Sequence, residues 1–389
     1  MKKNSYYQKL KYLKKYLKKQ QGLERKIKFC HFYNLAYKNG VANSRLERIS
    51  TEYTDDYFAD TGVSRPEKEW YYQRGIPTFK KDWYGLTKDN YNDFISDFDF
   101  YNADNYLHNR QLIRWFDYKL TTYYVLSPFK AFMPQHFFYI EHGELVPMDI
   151  ELNRYGKAED VFELVTKTPI ALKSCSGGHG KGFYKLVERS GKYYVNNKET
   201  SAQDVSSLIA SLDDYILTEY SVPHKVFRDA CGEDSFAVLR TVSVFDKNDG
   251  PQITAILIRL GSSAAGLVSD YDGCINCGVD LETGKLFGPV MRGGDDQGII
   301  IGTPVKAHPD TGVDLETLTV PRFDELTDLV KKVSAHLAMT PYLVMDIIPT
   351  DDGFDLLEIN SHGQVRILEN FFPFRKNKYN LNAFKTRDW

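Results

Sequence analysis

A glycine-rich stretch in the middle of the chain constrains the fold most strongly. Residues 172–186, LKSCSGGHGKGFYKL, place four glycines and three lysines between two short apolar runs. Apolar and β-branched residues on both sides of a turn-rich centre predict a β-hairpin with a glycine-rich tip. The two familiar phosphate loops instead join a strand to a helix. Gly182 stands where a Walker loop requires Ser or Thr, and Phe183 stands where a dinucleotide-binding loop requires its third glycine. The stretch is therefore neither of these loops.

The length and composition of the chain favour a globular protein of two or three domains. The chain has 389 residues, 42% of them hydrophobic, and a protein of this size can bury substantial cores. Its apolar runs fall short of the roughly 18 residues that a membrane-spanning helix needs, and the N-terminus lacks the apolar core of a signal peptide. The five cysteines do not form an even disulfide framework. We therefore expect a cytoplasmic protein with free thiols.

Charge is distributed unevenly along the chain. Residues 1–28 carry eleven Lys or Arg and one Glu, whereas the whole chain has a net charge of −2. Apolar side chains at helical spacing in this basic end predict an amphipathic helix with a lysine-covered face; they are Tyr6, Leu10, Leu13 and Leu17. Such a helix could lie on the anionic inner face of the cell membrane, or it could pack on its own domain. Nucleic acid is not expected as a partner, because the rest of the chain is acidic and lacks a recognised nucleic-acid-binding motif.

Three regions of the sequence differ in character and give a predicted domain division. Residues 1–116 are rich in aromatic and charged residues and indicate a partly helical N-terminal region. Residues 117–217 contain aromatic and β-branched runs that predict strands, beginning with YKLTTYYV at residues 118–125. Residues 218–389 alternate strands with one clear helix, PRFDELTDLVKKVSAHLA, in which Pro321 should occupy the first turn. Together these patterns predict an α+β fold.

A second hairpin, near the end of the chain, carries a cluster of oxygen ligands. Two apolar strands are joined by TDDG within YLVMDIIPTDDGFDLLEIN. Glu358 and Asn360 are two residues apart on the second strand, so their side chains leave the same face of the sheet, and Asp346 lies on the partner strand. Burying such carboxylates is costly unless a cation compensates their charge, and oxygen ligands suit Mg²⁺. The alternative is an exposed face on which these groups pair with Lys or Arg.

The two hairpins together indicate a site for a nucleoside triphosphate. A glycine-tipped hairpin can cover phosphate groups with its backbone N–H groups, while Lys173 on its first strand neutralises a phosphate oxygen. With the oxygen cluster in the same chain, the sequence resembles the sugar-transfer associated ATP-grasp family of the ATP-grasp superfamily, in order from about Lys119 to Phe374. This resemblance implies an ATP-grasp fold, in which two α+β subdomains clasp ATP, with ATP and Mg²⁺ as cofactors.

The resemblance also implies roles for individual residues. The residues implied for ATP are a lysine ahead of the lid, the lid itself and a carboxylate that reaches adenosine, namely Lys119, Lys173, Ser176, Gly177, Gly178, Gly180, Lys181 and Glu219. The implied Mg²⁺ ligands are Asp346, Glu358 and Asn360. Arg240 and Arg259 are the catalytic candidates, because a guanidinium can hold a substrate carboxylate or a phosphoryl group with two hydrogen bonds. Substrate contacts are implied for His224, Thr241 and His308.

Simpler roles stay open for several of these residues. Either arginine could pair with a structural carboxylate, either histidine could serve a turn or the packing, and Glu219 could be an ordinary carboxylate at a strand end. Cys274 and Cys277 have the C-x-x-C spacing, but one pair supplies only two zinc ligands and no second pair accompanies it. We therefore do not expect a zinc site.

The resemblance implies a chemistry in which a carboxylate is joined to an amine through an acylphosphate. We expect an ATP- and Mg²⁺-dependent ligase that acts on a small-molecule or glycan carboxylate and an amine. An example is the joining of an amino acid to a uronic acid in a surface or capsular polysaccharide. The alternatives are a kinase-like transfer of the phosphoryl group to a hydroxyl, and a nucleotide-binding scaffold without turnover. The presence of Asp346, Glu358 and Asn360 argues against a scaffold.

The membrane hypothesis for the basic end can be tested with lipid vesicles. Deletion of residues 1–20 should reduce sedimentation of the protein with anionic vesicles, because each Lys or Arg near such a surface contributes about 1 kcal/mol to binding. Neutral vesicles are the control, and neither protein should sediment with them. Equal sedimentation of the full chain and the deletion variant with anionic vesicles would instead favour a helix that packs on its own domain.

Overall fold

The computed structural model describes residues 22–105, 107, 112, 115–148, 154–177, 182–264, 273–294 and 300–384. The predicted basic helix lies outside the described residues. The chain divides into two compact units. One consists of Met1–Leu107, Asp295–Ile301 and Pro373–Trp389, and the other of His108–Gly294 and Gly302–Phe372. The predicted division at residues 116 and 217 stays a prediction.

Helices are found in both units. Numbered in chain order over the described residues, they are α1 (Leu23–Lys38), α2 (Leu46–Phe58), α3 (Arg65–Tyr72), α4 (Phe79–Tyr84), α5 (Asp97–Asn102), α6 (Lys119–Val125), α7 (Ala158–Val165), α8 (Ala202–Ser211), α9 (Lys225–Cys231), α10 (Phe323–His336) and α11 (Lys378–Phe384). Short 3-10 helices cover Tyr91–Asp93, Ala103–Asn105, Ser127–Phe132, Leu315–Thr317, Leu368–Asn370 and Phe374–Lys376. None of these helices is both long enough and apolar enough to cross a membrane.

Aromatic rings form the core of the first unit, which contains α1 to α5 and α11. The ring of Phe32 packs edge-on against Tyr53 and Tyr72, with centroids 5.7 and 4.9 Å apart. Lys80 and Asp97 form an ion pair of 2.8 Å, with both side chains only 2% exposed. None of the site residues predicted from the sequence belongs to this unit.

Two sheets make up the framework of the second unit. Their strands are β1 (His136–Glu141), β2 (Glu144–Pro147), β3 (Ile170–Ser174), β4 (Tyr184–Arg189), β5 (Lys192–Val195), β6 (Lys198–Thr200), β7 (Tyr215–Glu219), β8 (Ala237–Asp246), β9 (Gly250–Leu260), β10 (Ile275–Val279), β11 (Leu286–Gly294), β12 (Ile300–Pro304), β13 (Tyr342–Pro349) and β14 (Phe354–Asn360). The first sheet has the order β2-β1-β7-β3-β4-β5-β6, and the second has the order β12-β11-β10-β9-β8-β13-β14. Helices together with two antiparallel sheets confirm the predicted α+β class.

Both predicted hairpins are confirmed. Strands β3 and β4 pair antiparallel on either side of the glycine-rich stretch, with Leu172 opposite Tyr184. Strands β13 and β14 pair antiparallel around TDDG, with Asp346 opposite Glu358. The chain between β3 and β4 requires a glycine at position 182. Its φ is 74°, and a Cβ there would collide with the Tyr215 hydroxyl.

The second sheet has one apolar face and one polar face. Leu326, Val330 and Val333 of α10 belong to the same buried cluster as Ile258 of β9 and Met345 of β13. Because side chains alternate along a strand, the residues next to these apolar ones point to the opposite side of the sheet. We call that opposite side the polar face of the second sheet.

The helix that covers the apolar face begins later than predicted. Pro321 does not lie in its first turn, because α10 begins at Phe323. Between them, Arg322 has a φ of 52°, which is left-handed and interrupts the helical backbone. The guanidinium of Arg322 forms an ion pair with Glu325 in the first turn of α10 and donates a hydrogen bond to the Asp352 carbonyl.

The strand predicted for residues 118–125 is also wrong, because this segment forms α6. The Thr122 N–H donates to the Tyr118 carbonyl at 3.0 Å and closes the first turn, and the hydroxyls of Thr121 and Thr122 donate to the same carbonyl at 2.9 and 3.0 Å. Tyr123 is buried in the same cluster as the core of the second sheet. Tertiary packing therefore overrides the β-propensity of these β-branched and aromatic residues.

The packing of α10 on the apolar face can be tested by mutation. Leu326 is fully buried, so Leu326→Ala should lower the free energy of unfolding by about 2–5 kcal/mol through lost contacts and a cavity. Urea denaturation measures this change. Lys331→Ala, on the exposed side of the same helix, should change it by no more than about 0.5 kcal/mol. Equal effects of the two variants would contradict the assigned face.

Candidate functional site

Charged side chains meet on the polar face of the second sheet, across neighbouring strands. Arg240 on β8 is opposite Asp346 on β13, and Asp346 is opposite Glu358 on β14. Directly opposed residues in a sheet have their Cβ atoms about 5 Å apart. The sheet therefore brings these three predicted site residues into one row.

Arg240 and Asp346 form a two-pronged ion pair. Nε of Arg240 donates to Oδ1 of Asp346 at 2.8 Å, and Nη2 donates to Oδ2 at 2.7 Å. Burial raises the pKa of Asp346, but the charge and hydrogen bonds of Arg240, together with the charge of Arg259, hold this pKa well below its usual range. Asp346 therefore stays ionised, although it is buried and only 7% exposed.

Glu358 and Asn360 extend from β14 beside this pair. Nδ2 of Asn360 donates to Oε1 of Glu358 at 3.3 Å, so the amide group of Asn360, with its oxygen, lies beside the carboxylate. In the described ranges, no three acidic, histidine or cysteine side chains form a metal-binding cluster, so the predicted Mg²⁺ site depends on that amide oxygen. Two carboxylates and one amide oxygen are a hard donor set that fits Mg²⁺, which keeps several of its waters.

Lys119 connects the glycine-rich hairpin of the first sheet to the oxygen cluster, the name we give to Asp346, Glu358 and Asn360. Its Nζ donates to the Gly177 carbonyl at 2.8 Å and lies 3.4 Å from Oε2 of Glu358. Its backbone N–H donates to the Cys175 carbonyl at 3.2 Å. Asp117, two residues earlier, accepts hydrogen bonds from the N–H and hydroxyl of Ser361, just beyond β14. The N-terminus of α6 is therefore tied to both sheets.

Lys173 lies on β3, half-buried and close to the same cluster. Burial lowers the pKa of Lys173 to about 8, and the charge of Lys119 acts in the same direction. The charges of Glu358 and Asp355 oppose this shift. Two lysines are thus held near each other, an arrangement that a bound polyanion would stabilise.

The base of the hairpin is ordered by its own hydrogen bonds. The Gly177 N–H donates to the Ser174 hydroxyl at 3.1 Å, and the Ser176 hydroxyl donates to Asp214 at 2.7 Å. Asp214 also accepts from the Tyr118 hydroxyl, so it joins the hairpin to the residue before α6. The other predicted lid residues, Gly178, Gly180 and Lys181, lie outside the described residues.

Two further carboxylates, Glu219 and Asp355, lie close to each other, and Asp355 also lies close to Lys173. Glu219, at the end of β7, accepts a hydrogen bond from the Thr168 hydroxyl at 3.0 Å. Asp355, on β14, is not among the residues predicted from the sequence. Burial raises its pKa, as does the charge of Glu219, whereas Ser221 and Lys173 act in the opposite direction. Alternation alone would place Asp355, three residues before Glu358, on the other face, but the irregular register between Asp346 and Ile347 brings it to the polar face.

Three residues predicted to contact substrate have structural contacts of their own. Thr241 points to the apolar face, because it neighbours Arg240, and it is fully buried. His224 caps α9 by accepting from the Val226 N–H at 3.1 Å. His308 is 1% exposed, and its Nε2 is 2.8 Å from the Gly261 carbonyl. Their substrate roles stay predictions.

Comparison with known families identifies the framework around this site. A family model described as sugar-transfer associated ATP-grasp matches residues 101–370, which is more than half of the chain. The chain belongs to this family. Membership confirms the resemblance seen in the sequence and the predicted ATP-grasp fold. No curated protein matches the sequence.

Several solved structures are similar to this ATP-grasp chain over part of its length. N5-carboxyaminoimidazole synthase from Aspergillus clavatus is 13% identical, with a TM-score of 0.30 over 64% of this chain and 46% of that chain. D-alanine-D-alanine ligase from Bacillus anthracis is 11% identical, with a TM-score of 0.30 over 63% and 56%. Macrocyclase MdnC from Microcystis aeruginosa MRC is 14% identical, with a TM-score of 0.30 over 66% and 56%. The ATP-grasp chain spans about half the length of these proteins.

The pKa of Lys173 gives this ATP-grasp protein a testable pH dependence. A phosphate binds the protonated amine more tightly and raises its pKa, so affinity for ATP should be constant below pH 8. It should then fall as pH rises through about 8, approaching tenfold per unit. Calorimetric titration with ATP and Mg²⁺ between pH 7 and 9.5 measures this fall. Lys173→Met should bind ATP more weakly at pH 7 and lose the pH dependence.

An exposed lysine of the same sheet provides the control for this experiment. Lys198 lies on β6 and is exposed, so Lys198→Met should keep the affinity and the pH profile of the unmodified protein. If Lys173→Met also keeps both, Lys173 does not contact the phosphates.

Proposed function

We propose that this protein is an ATP- and Mg²⁺-dependent ligase that joins a carboxylate to an amine through an acylphosphate intermediate. Membership of the ATP-grasp family supports the use of ATP. The row of fixed charges on the polar face of the second sheet supports phosphoryl transfer, which depends on positioning and charge stabilisation more than on a covalent catalyst.

A single side chain carries this proposal. Lys119 lies within 2.8 Å of the Gly177 carbonyl at the base of the hairpin and within 3.4 Å of the Glu358 carboxylate. The glycine-rich hairpin and the oxygen cluster are therefore no farther apart than one ammonium group can bridge. A triphosphate that displaces this bridge would have lysines on one side and the oxygen cluster on the other.

The residues around this position divide the work of holding ATP. We assign Lys119 and Lys173 to the phosphate oxygens, which they neutralise, and Glu219 to the adenosine. Asp346, Glu358 and Asn360 would hold Mg²⁺, which when bound supplies further charge neutralisation on the phosphates. Since both oxygens of Asp346 bind Arg240, this carboxylate would share its charge between the guanidinium and the metal.

The arginines are assigned to the acceptor of the phosphoryl group. Arg259 would hold the substrate carboxylate, and Arg240 would fix Asp346 and face the transferring group. An oxygen of the substrate carboxylate attacks the γ-phosphorus, and the bond from that phosphorus to ADP breaks. The amine nitrogen then attacks the acyl carbon, inorganic phosphate leaves, and the nitrogen loses a proton to form the amide.

The substrates proposed from the sequence are a uronic acid or another glycan carboxylate and an amino acid, in the assembly of a surface polysaccharide. The family description, sugar-transfer associated, supports this setting. We place the protein at the inner face of the cell membrane, on the basis of the basic residues at its N-terminus.

Hydroxylamine distinguishes the ligase from the alternative transfer to a hydroxyl. It converts an acylphosphate into a hydroxamate and releases phosphate, whereas a phosphate ester is left intact. The protein should form hydroxamate from ATP, Mg²⁺ and a member of a uronic acid panel. Transfer of phosphate to a hydroxyl of the panel without hydroxamate would favour the kinase-like reaction instead, and neither product with any member would contradict the ligase.

The metal site can be tested through Glu358. Glu358→Gln should reduce hydroxamate formation by more than about 100-fold, because the loss of even an outer partner of a metal ligand costs ~10–100-fold. Its thermal unfolding midpoint should stay within a few degrees of that of the unmodified protein. Asp352→Asn, in the exposed turn of the same hairpin, is the matched control and should keep full activity. Full activity in Glu358→Gln would remove this residue from the metal site.

A further inference from the structure

The polar face of the second sheet continues beyond the residues assigned to phosphoryl transfer. Arg259 on β9 is directly opposite Asn276 on β10, and Asn276 is opposite Val290 on β11. Arg292 stands two residues after Val290, so its side chain leaves β11 on this same face. Arg259, Asn276 and Arg292 are only 5%, 3% and 7% exposed.

Electrostatic effects on a buried thiol place both arginines at this end of the face. Burial raises the pKa of Cys274, whereas the charges of Arg259 and Arg292 act to lower it. The Arg292 N–H also donates to the Cys274 carbonyl at 2.9 Å. Arg259 is also directly opposite Val238 on β8, two residues before Arg240. Arg259 therefore lies between the phosphoryl-transfer residues and the end of the face that carries Arg292.

The side-chain amide oxygen of Asn276 is a buried hydrogen-bond acceptor that lacks a donor among the described residues. The Nδ2 of the same side chain lies 4.0 Å from the Cys274 sulfur. A buried carbonyl oxygen that lacks a donor is costly. A ligand with an N–H group at this position would remove that cost.

We propose that Asn276 and Arg292 form the subsite for the amine substrate, and that this amine carries a carboxylate of its own, as an α-amino acid does. Asn276 accepts a hydrogen bond from the amine, and Arg292 binds the carboxylate. The assignment rests on the ligase function proposed above, whose amine substrate it specifies.

The order of the strands supports this assignment. Arg240 and Arg292 are on β8 and β11, three strand spacings apart, which is about 14 Å at ~4.8 Å for each spacing. Arg292 is thus at the far end of the row from the residues that face the transferring phosphoryl group, and we assign it to a second anion. Asn276 is next to Arg259, where the activated carboxylate is bound, and this position brings the amine to the acyl carbon. An α-amino acid has its two groups close together, as the adjacent strands β10 and β11 require.

Binding measurements on the full chain test this subsite. The probes are the common L-amino acids and the matching amines without a carboxylate, in the presence of Mg²⁺ and a non-hydrolysable ATP analogue, followed by calorimetry. The protein should bind at least one amino acid at least about tenfold more tightly than its matching amine, because a guanidinium–carboxylate pair is a charge-assisted hydrogen bond. Arg292→Met should lose this preference, and Asn276→Leu should weaken binding of both probes about fivefold or more.

Controls separate a local effect from a loss of folding. Affinity for the ATP analogue should stay within about twofold in both variants. Arg322→Met removes a guanidinium from an exposed position and should keep the preference. If Arg292→Met shows no cooperative thermal transition, the binding measurements on Asn276→Leu are used instead. Leucine has nearly the same shape as asparagine, so this variant should fold. The subsite is overturned if no amino acid binds better than its amine, or if a folded Arg292→Met keeps the preference.

Hydroxylamine separates this proposal from the ligase proposal, because it is an amine without a carboxylate and does not need Arg292. Arg292→Met should form hydroxamate at about the rate of the unmodified protein while it loses coupling to the amino acid. If the protein forms hydroxamate and also couples the amino acid equally well without Arg292, the subsite is overturned and the ligase stands. Binding of an amino acid that depends on Arg292, in a protein that forms no hydroxamate, supports the subsite and overturns the ligase.

Discussion

The ion pair between Arg240 and Asp346 allows charged groups to occupy the polar face of the second sheet. A single buried carboxylate would be neutralised by protonation or would destabilise the fold. Two hydrogen bonds of 2.8 and 2.7 Å instead keep Asp346 ionised. Glu358 and Asn360 on one side, and Arg259, Asn276 and Arg292 on the other, extend the row that this pair begins. Charge along the face thus passes from anionic at β14 to cationic at β11, a gradient suited to a metal at one end and anionic substrates at the other.

Lys119 adds the first sheet to this arrangement. Its contacts with the Gly177 carbonyl and with Glu358 join the base of the hairpin to the row of charges. The segment before α6 is anchored in turn by Asp117 on Ser361 and by Tyr118 on Asp214. In the proposed site, a nucleotide would meet Lys119 on a backbone that is held from both sheets, so that only its side chain would have to move to reach the phosphates. Such preorganisation is the main source of electrostatic catalysis in enzymes.

The sequence specified those parts of the site that depend on local patterns. Alternation and the TDDG turn predicted the hairpin that carries Asp346, Glu358 and Asn360, and the glycine-rich stretch predicted the hairpin that contains Lys173. Asn276 and Arg292 were missed, because the pairing register of β9, β10 and β11, which places them beside Arg259, does not follow from the residue pattern of these strands. Alternation also shows that Thr241, as the neighbour of Arg240 in the chain, must point to the opposite, apolar face. The helix at residues 119–125 was missed because packing on the second sheet outweighs the β-propensity of its residues.

We propose that a metal–nucleotide complex binds between Lys119 and the oxygen cluster. The most direct test of this proposal is anomalous diffraction from crystals grown with Mn²⁺ and a non-hydrolysable ATP analogue. We expect a manganese peak about 2.1 Å from oxygens of Glu358 and Asn360, with the analogue beside the ion and Lys119 on a phosphate oxygen. An analogue bound elsewhere, or a manganese peak away from these two residues, would contradict it.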